Sequence, residues 1–181
     1  MRIRTSDVTI EIVTGDIAQQ GDVEAVVNAA NAQLQMGGGV AGAIHRGAGP
    51  KLAEETRPLA PIQPGEAVIT GGHELPNEHI IHVLGPVYGR DEPSDELLRA
   101  GYENALRRAE ENDITSVAFP AISTGAFGFP LKPAARIALR TVLERAPHLT
   151  TVEHVRFVLF DDETRRVHEE VLEELVGEIS E

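Results

Sequence analysis

The sequence contains no cysteine, which removes disulfides, thiolate nucleophiles and Cys-ligated metal centres from consideration. Lysine is nearly absent: only Lys51 and Lys132 occur, and the other basic side chains are arginines. With a net charge of −13 the chain has no surplus of basic residues for a nucleic-acid backbone, so no DNA duplex is expected as a partner. No apolar run is long enough to cross a bilayer, and the amino-terminal MRIRTSDVTIEIVTGD has none of signal-peptide length; a cytoplasmic setting without membrane contact is expected. Repeats and low-complexity tracts are missing. So are the P-loop pattern Gly-x-x-x-x-Gly-Lys-Ser/Thr, the nucleophile elbow Gly-x-Ser-x-Gly and a Gly-x-Gly-x-x-Gly after the first strand.

What is present is an ordinary globular composition, 41% hydrophobic and 25% charged over 181 residues, which suits one domain over residues 1–181 with a substantial core. Alternation predicts a strand over 8–13, and Asp16 is placed to cap a short helix over 17–20. A buried strand over 25–29 feeds a helix over 40–48, and a short helix over 51–56 breaks at a proline-rich loop. Strands over 66–70 and 79–84 read as a hairpin-like or crossover pair. Within the second, His79 and His82 point to opposite faces, so no metal site is expected there. The apolar stripe of Leu97, Leu98, Tyr102, Ala105, Leu106 and Ala109 marks a helix over 95–112, with Ser94 suited to its start. A strand over 116–120, a helix over 133–146, a strand over 155–160 and a helix over 163–179 complete the chain. The implied fold class is α/β: a three-layer α/β/α sandwich with a mixed, mostly parallel sheet, its ligand site at the strands' carboxyl ends.

Two loops at such strand ends carry the chemistry. The first runs from Asn28 and Asn31 through Gly37, Gly38 and Gly39 into the helix at Val40. Glycine lets the backbone approach a ligand, and a helix start offers unpaired N–H groups and a positive dipole end, so a phosphate or diphosphate is the natural guest. The asparagine amides suit ribose hydroxyls. The second loop, Ala121-Ile-Ser-Thr-Gly-Ala-Phe-Gly-Phe-Pro130, again joins a strand to a helix and offers N–H groups to an anion. Its aromatics, Phe127 and Phe129, are flanked by glycine and fit a core less readily.

Asn28-Ala-Ala-Asn31 followed by Gly37-Gly-Gly-Val-Ala-Gly-Ala-Ile-His45 closely resembles the signature of the macrodomain family, ADP-ribose-binding modules, and the resemblance spans roughly residues 9–175. It implies that Asp16 accepts a hydrogen bond from the adenine amino group, with the Ile17 backbone on the ring and Phe160 against its face. Gly37, Gly38, Gly39 and Val40 would hold the diphosphate from one side and Ser123, Thr124, Gly125 and Ala126 from the other, with Phe127 by the distal ribose and Asn31 on its hydroxyls.

The resemblance also implies hydrolysis of ADP-ribosyl linkages: mono-ADP-ribosylated acidic side chains, ADP-ribose-1″-phosphate or O-acetyl-ADP-ribose. In a hydrolytic branch of the family an aspartate follows Gly-Gly-Val; here that position is Ala41, which cannot accept a proton. The implied route is therefore substrate-assisted, a phosphate-held water attacking the distal anomeric carbon, with Asn31, His45 and Gly39 as the catalytic candidates. No cofactor or metal is called for; the expected partners are ADP-ribose and ADP-ribosylated proteins, and the expected state is a monomer. The alternative is a reader that binds ADP-ribose without turnover. A dinucleotide-dependent oxidoreductase would need a second domain to hold its substrate.

Overall fold

The computed structural model describes residues 1–180. Seven strands form one sheet: β1 (Arg2–Thr5), β2 (Val8–Thr14), β3 (Ala25–Ala29), β4 (Ala67–Gly71), β5 (His79–Val83), β6 (Ser116–Phe119) and β7 (His154–Leu159), in the spatial order β1-β2-β7-β6-β3-β5-β4. The five inner strands run parallel, and the two edge strands pair antiparallel, β1 with β2 and β4 with β5. The mixed, mostly parallel sheet is as expected, and the β4–β5 pair is antiparallel.

Five helices cover it: α1 (Gly39–Ala48), α2 (Lys51–Thr56), α3 (Ser94–Glu111), α4 (Leu131–Arg145) and α5 (Asp162–Ser180). Alternation within the strands sends one set of side chains to each layer. Val27, Ile81, Val117, Phe157 and Ile10 pack with α3, α4 and α5, whereas Val26, Ile80, Ala118 and Val158 pack with α1 and α2. On the larger side the ring of Tyr102 meets Phe119 and Phe157 at centroid distances of 5.3 and 6.4 Å. Its hydroxyl accepts from the Ile122 amide at 3.2 Å. Helix α3 thereby holds the root of the second glycine-rich loop.

One local expectation is corrected, and one strand is added. Strand β1 was not read from the sequence; Ser6 and Asp7, with φ of 49° and 68°, make a two-residue hairpin turn of the doubly left-handed kind, for which Ser-Asp is a weaker signal than Asn-Gly. No helix forms over 17–20. Instead Asp16 Oδ1 accepts from the Ala18 amide at 2.9 Å and the Gln19 amide donates to Asp16 O, a side-chain-closed turn that satisfies the backbone without a helix. Ser94 opens α3 as expected, with Pro93 at the cap position, and its hydroxyl donates back to Asp91 O at 2.6 Å.

Candidate functional site

The residues singled out at strand ends fall in one row. In spatial order, β2 is followed by Asp16 and Ile17, β7 by Phe160, β6 by Ser123 to Phe127, and β3 by Asn31 to Val40. Four neighbouring strands span about 14 Å at the usual interstrand spacing, so the row suits an extended ligand rather than a compact one.

At the β2 end the Gly15 amide donates to Leu159 O at 2.9 Å, pinning the turn to β7. Ile17 is buried with α1 and β3 residues, while Asp16 is exposed. Phe160 is 85% exposed, so it has no part in the core, and it follows β7 where that strand pairs with the end of β2.

Helix α1 starts with a bare positive end. Its cap, Gly38, carries no side chain, no acidic residue lies in the first turn, and Gly39 takes φ of 55°. Among the described residues nothing accepts from the amides of Gly37, Gly38, Gly39, Val40 or Ala41. Five free N–H groups around a helix start form an anion site with no intrinsic counter-charge. The preceding loop is held from below by Leu34, fully buried at φ of 57°, a costly conformation for a bulky residue that its packing must enforce. Thr56 donates to Leu34 O at 2.8 Å. The Asn31 amide closes the same loop, donating to Gln35 O at 2.8 Å and accepting from the Gln35 amide at 3.1 Å; one donor and one lone pair of Asn31 are left over.

The second loop mirrors this. Ser123, at φ of 68°, is buried and donates to Pro86 O at 2.8 Å, and Thr124 donates to Ala121 O at 2.9 Å. Both hydroxyls are thus engaged within the protein, while the amides of Gly125, Ala126 and Phe127 have no acceptor among the described residues. Gly85 lets this loop approach β5: a Cβ there would run into Ser123 Oγ and sit 2.6 Å from Ile122 Cγ2. Phe127 packs half-buried against the cluster of Ala30, Leu34 and Leu84 beneath the first loop, so the two loops are joined. Phe129 is corrected to a core residue, buried with its ring 4.8 Å from that of Tyr88.

Two candidates lie deeper than expected. Asn28 is 0% exposed, with its Nδ2 3.0 Å from His82 Nδ1; the buried amide is not open on the surface of the row as its sequence position suggested. His45 is also buried, on the face of α1 that meets the sheet, and burial lowers its pKa. His82, placed by register opposite Asn28, was not read as part of the site; a histidine in the otherwise apolar run Ile80-Ile81-His82-Val83 is the one signal that marked it. A surface hollow of about 380 Å³ lined by Arg4, Asp7, Pro147 and Glu153 lies at the opposite, amino end of the strands. Its lining has no glycine loop.

An open α/β sheet with two anion-cradling loops at adjacent strand ends defines a binder of phosphorylated, nucleotide-like ligands. Residues 27–138 match the family model described as Macro domain, and the chain belongs to that family. It is 45% identical to the O-acetyl-ADP-ribose deacetylase of Salmonella newport over 168 residues, covering 90% of this chain and 93% of that one. Among solved structures it superposes on the Oceanobacillus iheyensis macrodomain with ADP at a TM-score of 0.94, with 37% identity and coverage of 98% and 97%. The Trypanosoma brucei macrodomain in complex with ADP-ribose matches at a TM-score of 0.82 and 36% identity, with coverage of 89% and 68%.

Proposed function

We propose that this chain binds ADP-ribose along the row of strand ends and hydrolyses ester-type ADP-ribosyl linkages, with O-acetyl-ADP-ribose as the first substrate to test. The observation that carries the reading is the order of the row. An exposed aromatic and a carboxylate at β2 and β7 suit adenine, two sets of free amides at β6 and β3 suit a diphosphate, and the residual hydrogen-bonding capacity of Asn31 suits the far ribose. The relatives named for ADP, ADP-ribose and O-acetyl-ADP-ribose support it.

The chemistry is constrained by what surrounds the loops. Ala41 and the acid-free first turn of α1 offer no base, and His45 is buried rather than open to the row. For an ester on the distal anomeric carbon, water held by the substrate's own phosphate and the loop amides attacks that carbon; its bond to the ester oxygen breaks, acetate leaves with that oxygen, and the water's proton passes to phosphate or solvent. An acetyl on another ribose hydroxyl is lost by attack of the same water at the acyl carbon. Acetate is a good enough leaving group for positioning and charge stabilisation to suffice. Calorimetric titration with ADP-ribose followed by a deacetylation assay tests both halves. Binding with turnover is expected, and the rate should be flat between about pH 6 and 8, because no group titrating there takes the proton. A limb with an apparent pKa in that interval would replace this route with one using a protein base. Binding without any acetate release would make the chain a reader, the reading that Ala41 favours.

At the adenine end, Asp16 Oδ1 is used by Ala18, which leaves Oδ2 for the ligand. Asp16→Ala is expected to weaken ADP-ribose binding by about 1–3 kcal/mol through loss of a charge-assisted hydrogen bond. Equal affinities by titration would take Asp16 out of the adenine site.

A further inference from the structure

The segment that leaves β5, residues 85–91, runs beside the second glycine loop and is tied to it at both ends. At the root, the Ser123 hydroxyl donates to Pro86 O at 2.8 Å, and a Cβ on Gly85 would collide with Ser123 Oγ. At the far end, the Tyr88 amide donates to Phe127 O at 2.9 Å. The free amides of Gly125, Ala126 and Phe127 lie between these two ties. Inside the loop the Gly128 amide donates to Gly125 O at 3.0 Å and the Phe129 amide to Ser123 O at 2.9 Å. Neither of those bonds anchors the loop to the rest of the fold.

Tyr88 is built to enforce the far tie. Its ring is 49% exposed, yet it sits on the buried Phe129, with centroids 4.8 Å apart and planes tilted by 57°, a favourable arrangement for two aromatic rings. Losing that contact would open Phe129 to water, so the ring resists being lifted. The turn that carries Tyr88 is closed on its other side. Asp91 Oδ2 accepts from the Val87 amide at 2.8 Å, and the amides of Asp91 and Arg90 donate to Val87 O at 2.9 and 3.1 Å. Asp91 O is in turn held by the Ser94 hydroxyl at the head of α3. A braced segment thus reaches from α3 to Phe127, whose side chain packs on the floor of the first loop. Through that one residue it bears on the spacing of both cradles.

We propose that Tyr88 is a positioning residue: seated on Phe129, its ring keeps the Tyr88 amide on the Phe127 carbonyl and so holds the free amides of the second loop ready for the diphosphate. This rests on the ADP-ribose reading. Amides fixed before binding lose little freedom when the ligand arrives, whereas a loose loop must be ordered by the ligand and binds it more weakly.

The test compares wild type with Tyr88→Phe, which keeps the ring, and Tyr88→Ala, which removes it. Each is titrated with ADP-ribose and with AMP, which lacks the second phosphate and the distal ribose. In Tyr88→Ala the ratio of ADP-ribose to AMP affinity is expected to fall about tenfold, the worth of roughly one hydrogen bond. Tyr88→Phe is expected to stay within about twofold of wild type. A loss in Tyr88→Phe as large as in Tyr88→Ala would make the hydroxyl a direct ligand contact and overturn the proposal. Equal losses of both ligands in Tyr88→Ala would leave only general packing and overturn it too. Hydrogen exchange without ligand gives a separate reading. Relative to amides inside α4, the Phe129 amide is expected to exchange about tenfold faster in Tyr88→Ala than in Tyr88→Phe, and equal rates would overturn the proposal. If wild type fails to bind ADP-ribose while the exchange rates differ, the functional reading falls and the hold of Tyr88 on the loop stands.

Discussion

Gly42→Ala is expected to lose ADP-ribose binding by roughly a hundredfold, or about 3 kcal/mol, the worth of one to two charge-assisted hydrogen bonds misplaced by the loop. The position lies in the first turns of α1, where a Cβ would sit 2.6 Å from Gly37 O and 2.9 Å from Arg46 Nη1. The first of these is backbone and cannot swing away, so the three-glycine loop must shift and its free amides with it. Gly38→Ala is the informative contrast. A Cβ there meets no protein atom within 4 Å, and its φ of −83° suits any residue. This variant should therefore fold and melt like wild type, and any affinity it loses comes from contact with ligand. A Gly42→Ala protein that binds as well as wild type would show that the loop amides do not hold the diphosphate.

The second large effect is on stability. Arg156 on β7 is nearly buried, and its guanidinium spans Glu11 on the paired residue of β2, Gln20 Oε1 at 2.9 Å and both carboxylate oxygens of Asp22 at 2.7 Å. Arg156→Met is expected to cost about 3 kcal/mol, because it leaves the half-buried Glu11 without its main counter-charge. Urea unfolding should show a lower midpoint with an unchanged slope, and a loss below about 1 kcal/mol would mark the cluster as solvated. The effect also depends on pH. The hydrogen bonds from Arg156 lower the Asp22 pKa from 3.8 to about 2. Burial raises that of Glu11, but Arg156 outweighs it and the net direction is down. Carboxylates with depressed folded-state pKa values contribute stability above their unfolded values and lose it as pH falls through the folded ones. Wild type should therefore weaken from pH 3.8 toward about 2, and the variant should have little of that dependence. Since Gln20 Nε2 also donates to Asp16 O at 2.9 Å, the variant is expected to loosen the adenine end as well.

The two glycine loops and the inner strands were legible in the sequence because glycine runs, apolar strands and helix starts are local signals. The orientation of Asn28 was not. Strand β3 is buried on both faces, so no polar alternation tells which layer Asn28 enters. Its partner is set by register with β5, fifty-four positions away. The same holds for Ser123, whose hydroxyl reads as a ligand contact in the motif but is engaged by Pro86 through a loop crossing. Phe129 departs from expectation for a similar reason: flanking glycine suggests an exposed ring, yet Tyr88, from another loop, covers it. The adenine-facing role of Phe160 and the part taken by Asn31 rest on the proposed function and its tests.

Strand β7 is the last in sequence, yet it lies between β2 and β6. During synthesis the β1–β2 hairpin therefore emerges early and has no parallel neighbour until residues 154–159 leave the ribosome. Until then the Asp16 turn has no Leu159 carbonyl to rest on, and the strand-end row is cut into two unconnected parts. Vectorial folding thus delays ligand capture until β7 has emerged, and the waiting hairpin presents an open parallel-pairing edge to chaperones or to other nascent chains.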